Sequence, residues 1–487
     1  MYFSRDKDIN QLVLGLIQLG WTYAKGRHYK LFPPNGCGMV IVPTTPGDRR
    51  AFQNFRRDVR QRLRGHSERY RHAGQEVMPM SPVILVSLDW RRPQDGKTGL
   101  GIGSIAAALQ AADVPWRIVE AQVNSPDFSL QQVSTELLQA IVEAGPGCLV
   151  GFGTYVWNDA EVQSLIRQIK GPGTRIVLGG PQISYMSKGQ LEGTYPGVDY
   201  FVRGQGELAM VALACGELPD DCGIHVAGTP DQGSKADHDL LALPSPYLLG
   251  TVVPQASIRW ETQRGCPFRC SFCQHRQPGN RLRTQCFDAQ RLERELALFA
   301  ATGVKRISVL DPIFHANPGR AVEVLNCIKA AGVRAQFSLQ CRFETCSPEF
   351  LEALDGLDVT LEFGLQTTVE AEYRAIDRPN RMEIVRSKIR ELHERQIDFE
   401  VSLIYGLPHQ TLDSFRSSVD WCVRQQVPRL RAWPLMLLRG TPLHEQKARY
   451  GFRESVDRRI PIVVASDSFS EAEHAEMARI ALALEES

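Results

Sequence analysis

The sequence predicts an α/β protein: a Rossmann-like, doubly wound sheet, then a partial (β/α)6 barrel, with a small α+β module ahead of both. Three observations predict this. Short apolar strands alternate with amphipathic helical segments over 80–212 and again over 254–455. Glycine-bearing turns follow successive strands of the first series, at the carboxyl ends where such sheets bind ligands. The second series has six strand–helix units, too few to close a barrel, so a lateral opening is expected.

The module, 1–75, is basic: residues 5 to 71 hold fourteen Lys or Arg against five Asp or Glu. An amphipathic helix near Ile9–Leu19 precedes "GWTYAKGRHYKLFPP" and "GMVIVPTT", read as two strands, and "DRRAFQNFRRDVRQRL", read as a basic helix. The order resembles the HicA-like, double-stranded-RNA-binding-domain-like fold, with Gly26-Arg27-His28 at that family's ribonuclease element. One histidine is not read as nuclease chemistry. Lys25, Arg27, Lys30, Arg56, Arg57 and Arg60 are candidates to meet RNA or an acidic partner, or to form a solvated basic face.

In the first series, "PVILVSL", "WRIVEAQV", "CLVGFGTY", "RIVLGGP" and "VDYFVRG" are strands. Residues 213–253, rich in Pro, Asp and Gly, read as a linker with a short extended segment. The barrel strands are "ASIRWET", "KRISVLD", "RAQFSLQ", "DVTLEFGLQ", "DFEVSLIYG" and "LRAWPLML"; a tail, 456–487, carries an acidic amphipathic helix. The near-balanced charge, 56 basic against 55 acidic residues, names no partner. No apolar run is long enough to span a membrane. Twelve cysteines without a secretory signal read as reduced thiols and ligands in a cytoplasmic protein.

Three of those cysteines, Cys266, Cys270 and Cys273, crowd into "GCPFRCSFCQ" directly after the first barrel strand. Structural zinc takes four protein ligands. Three thiolates on one loop suit a [4Fe–4S] cluster with one iron left open to a substrate or cosubstrate. Zinc with a distant fourth ligand such as His275, or ordinary buried thiols, are the other readings. Cys341 and Cys346, after the third strand, could also face the site, and Asp311 and His315 of "LDPIFH" read as barrel-mouth residues without an assigned role.

C-x3-C-x2-C with an aromatic, Phe272, before the third cysteine resembles the radical S-adenosylmethionine signature. "LEFGLQT", "IDRPNR", "IYGLPHQT" and "LLRGTPL" resemble blocks of its coproporphyrinogen-oxidase-like and cobalamin-dependent branches. The resemblance implies that Gln366 and Arg378 hold polar groups of S-adenosylmethionine and that Gly406 lets backbone approach adenine. Gln340 and Ser402 stand where relatives carry acidic residues, with Glu362 and Glu400 as nearby candidates. An external electron donor of flavodoxin or ferredoxin type is implied too.

"LVGFGTYVWN", "IVLGGPQISY" and "VDYFVRGQGELA" resemble the cobalamin domain of cobalamin-dependent radical S-adenosylmethionine enzymes. This implies Gly179, Gly180 and Pro181 against the nucleotide tail or corrin edge, Thr154, Tyr155 and Asn158 near the ring, and Gly204, Gly206 and Glu207 at a later turn. After the first strand comes Asp89-Trp90-Arg91-Arg92-Pro93-Gln94, with Arg91 where many cobalamin proteins place a cobalt-binding histidine. Arginine keeps its proton and cannot ligate, so cobalt is expected to lack a protein nitrogen on its lower face.

The implied function is methylation of an unactivated carbon of a peptide or other small-molecule natural-product intermediate by S-adenosylmethionine, a [4Fe–4S] cluster and cobalamin. A non-methylating rearrangement or cyclisation, or modification of RNA with help from the basic module, are the alternatives.

Overall fold

The computed structural model describes residues 3–4, 6–18, 21–25, 28–32, 40–43, 55, 80–236, 238–275, 284–456 and 458–485. The chain forms two compact units, Met1–Pro79 and Met80–Ser487.

In the first unit a helix, Lys7–Gln18, precedes an antiparallel sheet of Thr22–Lys25, Tyr29–Phe32 and Val40–Ile41. Asp6 accepts from the Ile9 amide at 3.0 Å, starting the helix. Ile9, Val13 and Leu16, spaced four and three apart on one helix face, pack on Trp21, Leu31 and Val40. The first of the two strands expected from sequence is thus a hairpin. Gly26, Arg27, Arg56, Arg57, Arg60 and, apart from Phe55, the basic helix expected at 48–63 lie outside the described residues.

The second unit opens with a six-stranded sheet in the spatial order Trp116–Gln122, Val83–Asp89, Leu149–Gly153, Arg175–Gly179, Tyr200–Val202, Ile224–Val226. The first five run parallel; the last is antiparallel. Ile84, Val86 and Leu88 point to one buried face and Val83 and Leu85 to the other, as a sheet covered by helices on both sides requires. Strand order reverses between Val83–Asp89 and Leu149–Gly153, which opens a crevice at their carboxyl ends.

The second sheet takes six parallel strands in chain order: Ser257–Trp260, Arg306–Val309, Gln336–Cys341, Val359–Gln366, Asp398–Tyr405 and Arg429–Pro434. Burial alternates along them. Trp260, Ile307, Phe337, Leu361, Phe363, Phe399 and Val401 belong to the core. Ser338, Glu362, Glu400 and Ser402, one residue out of phase, are only partly buried and line the concave side.

Segment 213–253 is more than a linker. It contributes the edge strand Ile224–Val226, and Leu240, Leu243, Tyr247 and Val252 enter the barrel core. The C-terminal helix, Glu471–Glu485, buries His474, Met477 and Ala481. Among the described residues no helix is long and apolar enough to cross a membrane.

Asp311 and His315, expected at the barrel mouth, are both fully buried. His315 stacks on Phe350, with centroids 4.7 Å apart, and its Nε2 lies 3.0 Å from the Arg342 carbonyl. Asp311 accepts from the Thr262 and Gln263 amides at 2.8 and 3.1 Å, fixing the chain where it leaves the first barrel strand. Burial pushes the Asp311 carboxyl up to about 7. The folded state therefore holds a proton that the unfolded chain has already lost, and stability falls as pH rises from the ordinary carboxylate range through about 7. Urea unfolding midpoints of the wild type should drop between about pH 5 and pH 7, and Asp311→Asn should flatten that drop; parallel curves would contradict the assignment.

Candidate active site

The cysteine loop is closed at its base by an antiparallel ladder of Gln263–Arg264 with Gln285–Cys286. Cys266 and Cys270 are buried and Cys273 is half-buried. The Ser271 amide donates to the Ile376 carbonyl at 2.8 Å, and the Leu443 amide to the Ser271 carbonyl at 3.1 Å, so two later segments hold the loop. Burial raises the Cys266 thiol and carries that of Cys273 up to about 11. Thiols held protonated in this way become ligands when a metal displaces the proton. Among the described residues no three His, Cys, Asp or Glu side chains converge tightly enough to hold one metal ion. A cubane takes each thiolate on a different iron, so three ligands would suffice for it.

Arg378 stands against this loop. Its Nη1 lies 3.5 Å from the Cys270 sulfur, and its Nη2 donates to the Gly364 carbonyl. The fourth barrel strand bulges between Gly364 and Gln366, and Gln366 sits at φ 69°, a left-handed conformation uncommon outside glycine. A Cβ on Gly364 would meet the side-chain Nε2 of Gln366 at 2.5 Å, so any larger residue there would displace the Gln366 side chain. Asn380 locks the bulge by donating to the Leu365 and Thr367 carbonyls at 2.9 and 2.8 Å.

From the bulge a buried polar network runs to the turn after the fifth strand. Thr367 donates to Glu372 at 2.6 Å, Gln410 donates to Glu372 at 3.2 Å, and Ser414 donates to its other oxygen. Gln410 Oε1 in turn accepts the Gly406 and Leu407 amides at 2.6 and 3.1 Å. Glu372 and Gln410 are fully buried. Gly406, at φ 91°, has its amide already spent; what it offers a ligand is the missing Cβ. Sequence reasoning missed Glu372, Gln410 and Asn380, although Gln410 and Asn380 sit inside the quoted motifs "YGLPHQT" and "DRPNR".

Across the concave side Gln340, Glu362 and Glu400 stand in register on neighbouring strands. Glu362 accepts from Ser338 and Gln340. Burial raises the Glu400 carboxyl, with repulsion from Glu362 adding to it, and Arg431 lies 3.3 Å away. Ser402 aligns with Gly364 on the same surface. Phe272 packs against the barrel core. Cys341 and Cys346 are core residues.

In the first sheet the crevice is built from the strand ends. Buried side-chain polar atoms in folded proteins are nearly always paired. Among the described residues, Arg91 (Nε and Nη2), Thr154 (Oγ1), Gln182 (Oε1) and Gln205 (Oε1) have buried atoms without a hydrogen-bond partner. They follow the four parallel strands that end in Asp89, Gly153, Gly179 and Val202. Thr154 is fully buried, and the Asp89 carboxylate lies 3.8 Å from Arg91 Nη2. Gly180, at φ 93°, admits no Cβ, which would meet the Thr154 backbone at 2.7 Å. Such a floor fits a large ligand rich in polar groups.

The other crevice residues divide by what they touch. Tyr155 stacks on Trp157 at 4.5 Å, and burial pushes its phenol up to about 12. Asn158 is fully buried and satisfied, donating to the Leu88 and Gly153 carbonyls at 3.0 Å and accepting the Tyr155 amide at 2.8 Å; it is a clamp beneath the crevice. Gly204, at φ 86°, leaves no room for a Cβ beside Ala236. Gly206 begins the helix Glu207–Ala214, and Pro181 the short helix Pro181–Ser184.

Glu207 faces the barrel, pairing with Arg264 at 2.8 Å; Arg264 also pairs with Glu261 at 2.9 Å. Arg259 of the first barrel strand pairs with Asp95 at 2.7 Å and is felt electrostatically by Asp89 and Tyr155. Burial raises the phenol of Tyr185, just past Gly180, to about 12. Crevice and cysteine loop thus look onto one junction.

Residues 97–214 match the B12 binding domain family and residues 260–422 the Radical SAM superfamily. The chain is 28% identical over 368 residues to 2-(S-pantetheinyl)-carbapenam-3-carboxylate methyltransferase of Streptantibioticus cattleyicolor, covering 68% of this chain and 53% of that protein. It is 29% identical over 393 residues to the cobalamin-dependent radical SAM methyltransferase TokK of Streptomyces tokunonensis, covering 73% and 56%. The chain therefore spans about half the length of these relatives. Its fold matches that of TsrM, a radical S-adenosylmethionine methyltransferase from Kitasatospora setae, with TM-score 0.61, 18% identity and 81% of each chain covered. The chain thus carries a B12 binding domain followed by a Radical SAM domain and is homologous to cobalamin-dependent radical SAM methyltransferases.

Proposed function

We propose that the protein methylates an unactivated carbon of a peptide or natural-product intermediate. It would use S-adenosylmethionine, a [4Fe–4S] cluster on Cys266, Cys270 and Cys273, and cobalamin in the sheet crevice, with an external flavodoxin- or ferredoxin-type donor of electrons. The observation that carries this reading is the opposition of crevice and cysteine loop, seen where Glu207, after the crevice strand Tyr200–Val202, pairs at 2.8 Å with Arg264, two residues before Cys266. The names of all three relatives given above contain methyltransferase, which supports methyl transfer over rearrangement.

When bound, the three groups supply radical formation and a transferable methyl group; the protein supplies binding, orientation and exclusion of water. Cys266, Cys270 and Cys273 provide three thiolates and leave a coordination position for the cosubstrate. Arg378 places a fixed positive charge beside Cys270. Gln366, presented by its bulge, and the Gly406 turn form two arms of the cosubstrate pocket, joined through Glu372 and Gln410. Gln340, Glu362 and Ser402 offer polar groups from the concave face. On the other side Asp89, Arg91, Thr154, Tyr155, Gly179, Gly180 and Pro181 form the crevice floor and edge, over a scaffold set by Asn158, Gly204, Gly206 and Glu207.

Anaerobic reconstitution with iron, sulfide and hydroxocobalamin, then turnover with S-adenosylmethionine alone, tests this. Deoxyadenosine and a methylated cobalamin are expected, and a protein that retains zinc and yields neither would overturn the reading. Alanine at Cys266, Cys270 and Cys273 should abolish iron binding and deoxyadenosine formation while cobalamin still binds. Gly180→Ala should do the reverse, because its Cβ meets the Thr154 backbone; equal loss of both cofactors in either variant would contradict two separable sites.

Glu372→Leu removes three hydrogen bonds without opening a cavity. It should weaken S-adenosylhomocysteine binding by about 1–3 kcal/mol at unchanged iron content, whereas Glu372→Gln keeps most of the affinity. Calorimetric titration of the reconstituted variants reads the difference.

A further inference from the structure

Arg439 lies in "LLRGTPL", a block the reading above leaves without a role. Its guanidinium crosses from the barrel to the first sheet. Nη1 donates to the Gln182 carbonyl at 3.1 Å and to the Tyr195 hydroxyl at 3.0 Å, and Nη2 lies 3.4 Å from Asp159. The Arg439 carbonyl accepts from Gln274, the neighbour of Cys273, at 3.0 Å. Gly440, at φ 70°, runs so close to Tyr185 that a Cβ would lie 2.5 Å from its carbonyl oxygen. Three residues on, the Leu443 amide binds the Ser271 carbonyl. One short strap therefore grips the crevice loop with a side chain and the cysteine loop with its backbone.

We propose that Arg439 is a positioning residue that fixes the separation of the two cofactor sites, so that transfer between them, and not binding at either, depends on it. The proposal rests on the methyltransferase reading for its second test and on the apoprotein geometry alone for its first.

The geometry is read by hydrogen–deuterium exchange of the full chain without cofactors. In Arg439→Met, amides of 182–186 and 271–274 should exchange about tenfold faster or more, while those of the barrel strand 398–405 stay unchanged. Exchange unchanged in both loops overturns the proposal. The functional arm uses reconstituted enzyme and S-adenosylmethionine as the probe, following deoxyadenosine and labelled methyl on protein-bound cobalamin separately. Deoxyadenosine formation should persist while methyl transfer falls, so their ratio rises several-fold, with Arg439→Lys between; a parallel fall of both contradicts it. Should Arg439→Met not fold, Tyr195→Phe, which removes one of the three side-chain contacts, must shift the ratio in the same direction or the proposal fails. A wild type that forms neither product sinks the methyltransferase reading and leaves the exchange result standing.

Discussion

Strand polarity governs this molecule. A parallel sheet delivers its glycine turns, helix starts and unpaired strand-end groups to one end, and here two such ends share a junction. The charges that hold the junction are largely withdrawn from water: Arg264 is 22% exposed between Glu207 at 6% and Glu261 at 22%. Removing one member of so buried a set strands the others, at a cost of about 3–5 kcal/mol. The two sites are therefore parts of one rigid arrangement, and neither sheet alone would present both.

The same logic operates on a smaller scale around the cysteine loop. No regular element contains these three cysteines; the loop is positioned from outside by Ile376 and Arg378, both beyond the fourth barrel strand, and by Leu443, beyond the sixth. Gln366 keeps a left-handed backbone because Asn380 and the buried Glu372–Gln410 network leave the bulge no alternative. Buried polar networks of this kind are costly unless fully paired. This one is paired throughout, which makes it a rigid frame for a ligand.

Much of this was legible in the sequence because strand period and cysteine spacing are local signals. The parallel strands of both sheets and the loop after Ser257–Trp260 follow from alternation and from C-x3-C-x2-C. What was not legible depends on partners far along the chain. Glu372 reads as a surface helix residue until Thr367 and Gln410 close around it. Asp311 and His315 are buried, and the hydrogen bonds by which Asp311 fixes the end of the first barrel strand join residues 49 apart in the chain. Asn158, placed near a ligand by motif position, also clamps the Leu88 and Gly153 carbonyls, a role that depends on a strand 70 residues away. Residues 213–253 read as linker because Pro and Gly mask the few apolar side chains, Leu240, Leu243, Tyr247 and Val252, that anchor it.

The most direct test of the central claim is a pulsed electron paramagnetic resonance measurement on enzyme holding a reduced cluster and paramagnetic cobalt. Two cofactors facing one junction must show dipolar coupling between their spins, together with a change in the cluster signal when S-adenosylmethionine is added. Independent, uncoupled signals, with a cluster spectrum indifferent to S-adenosylmethionine, would contradict the account.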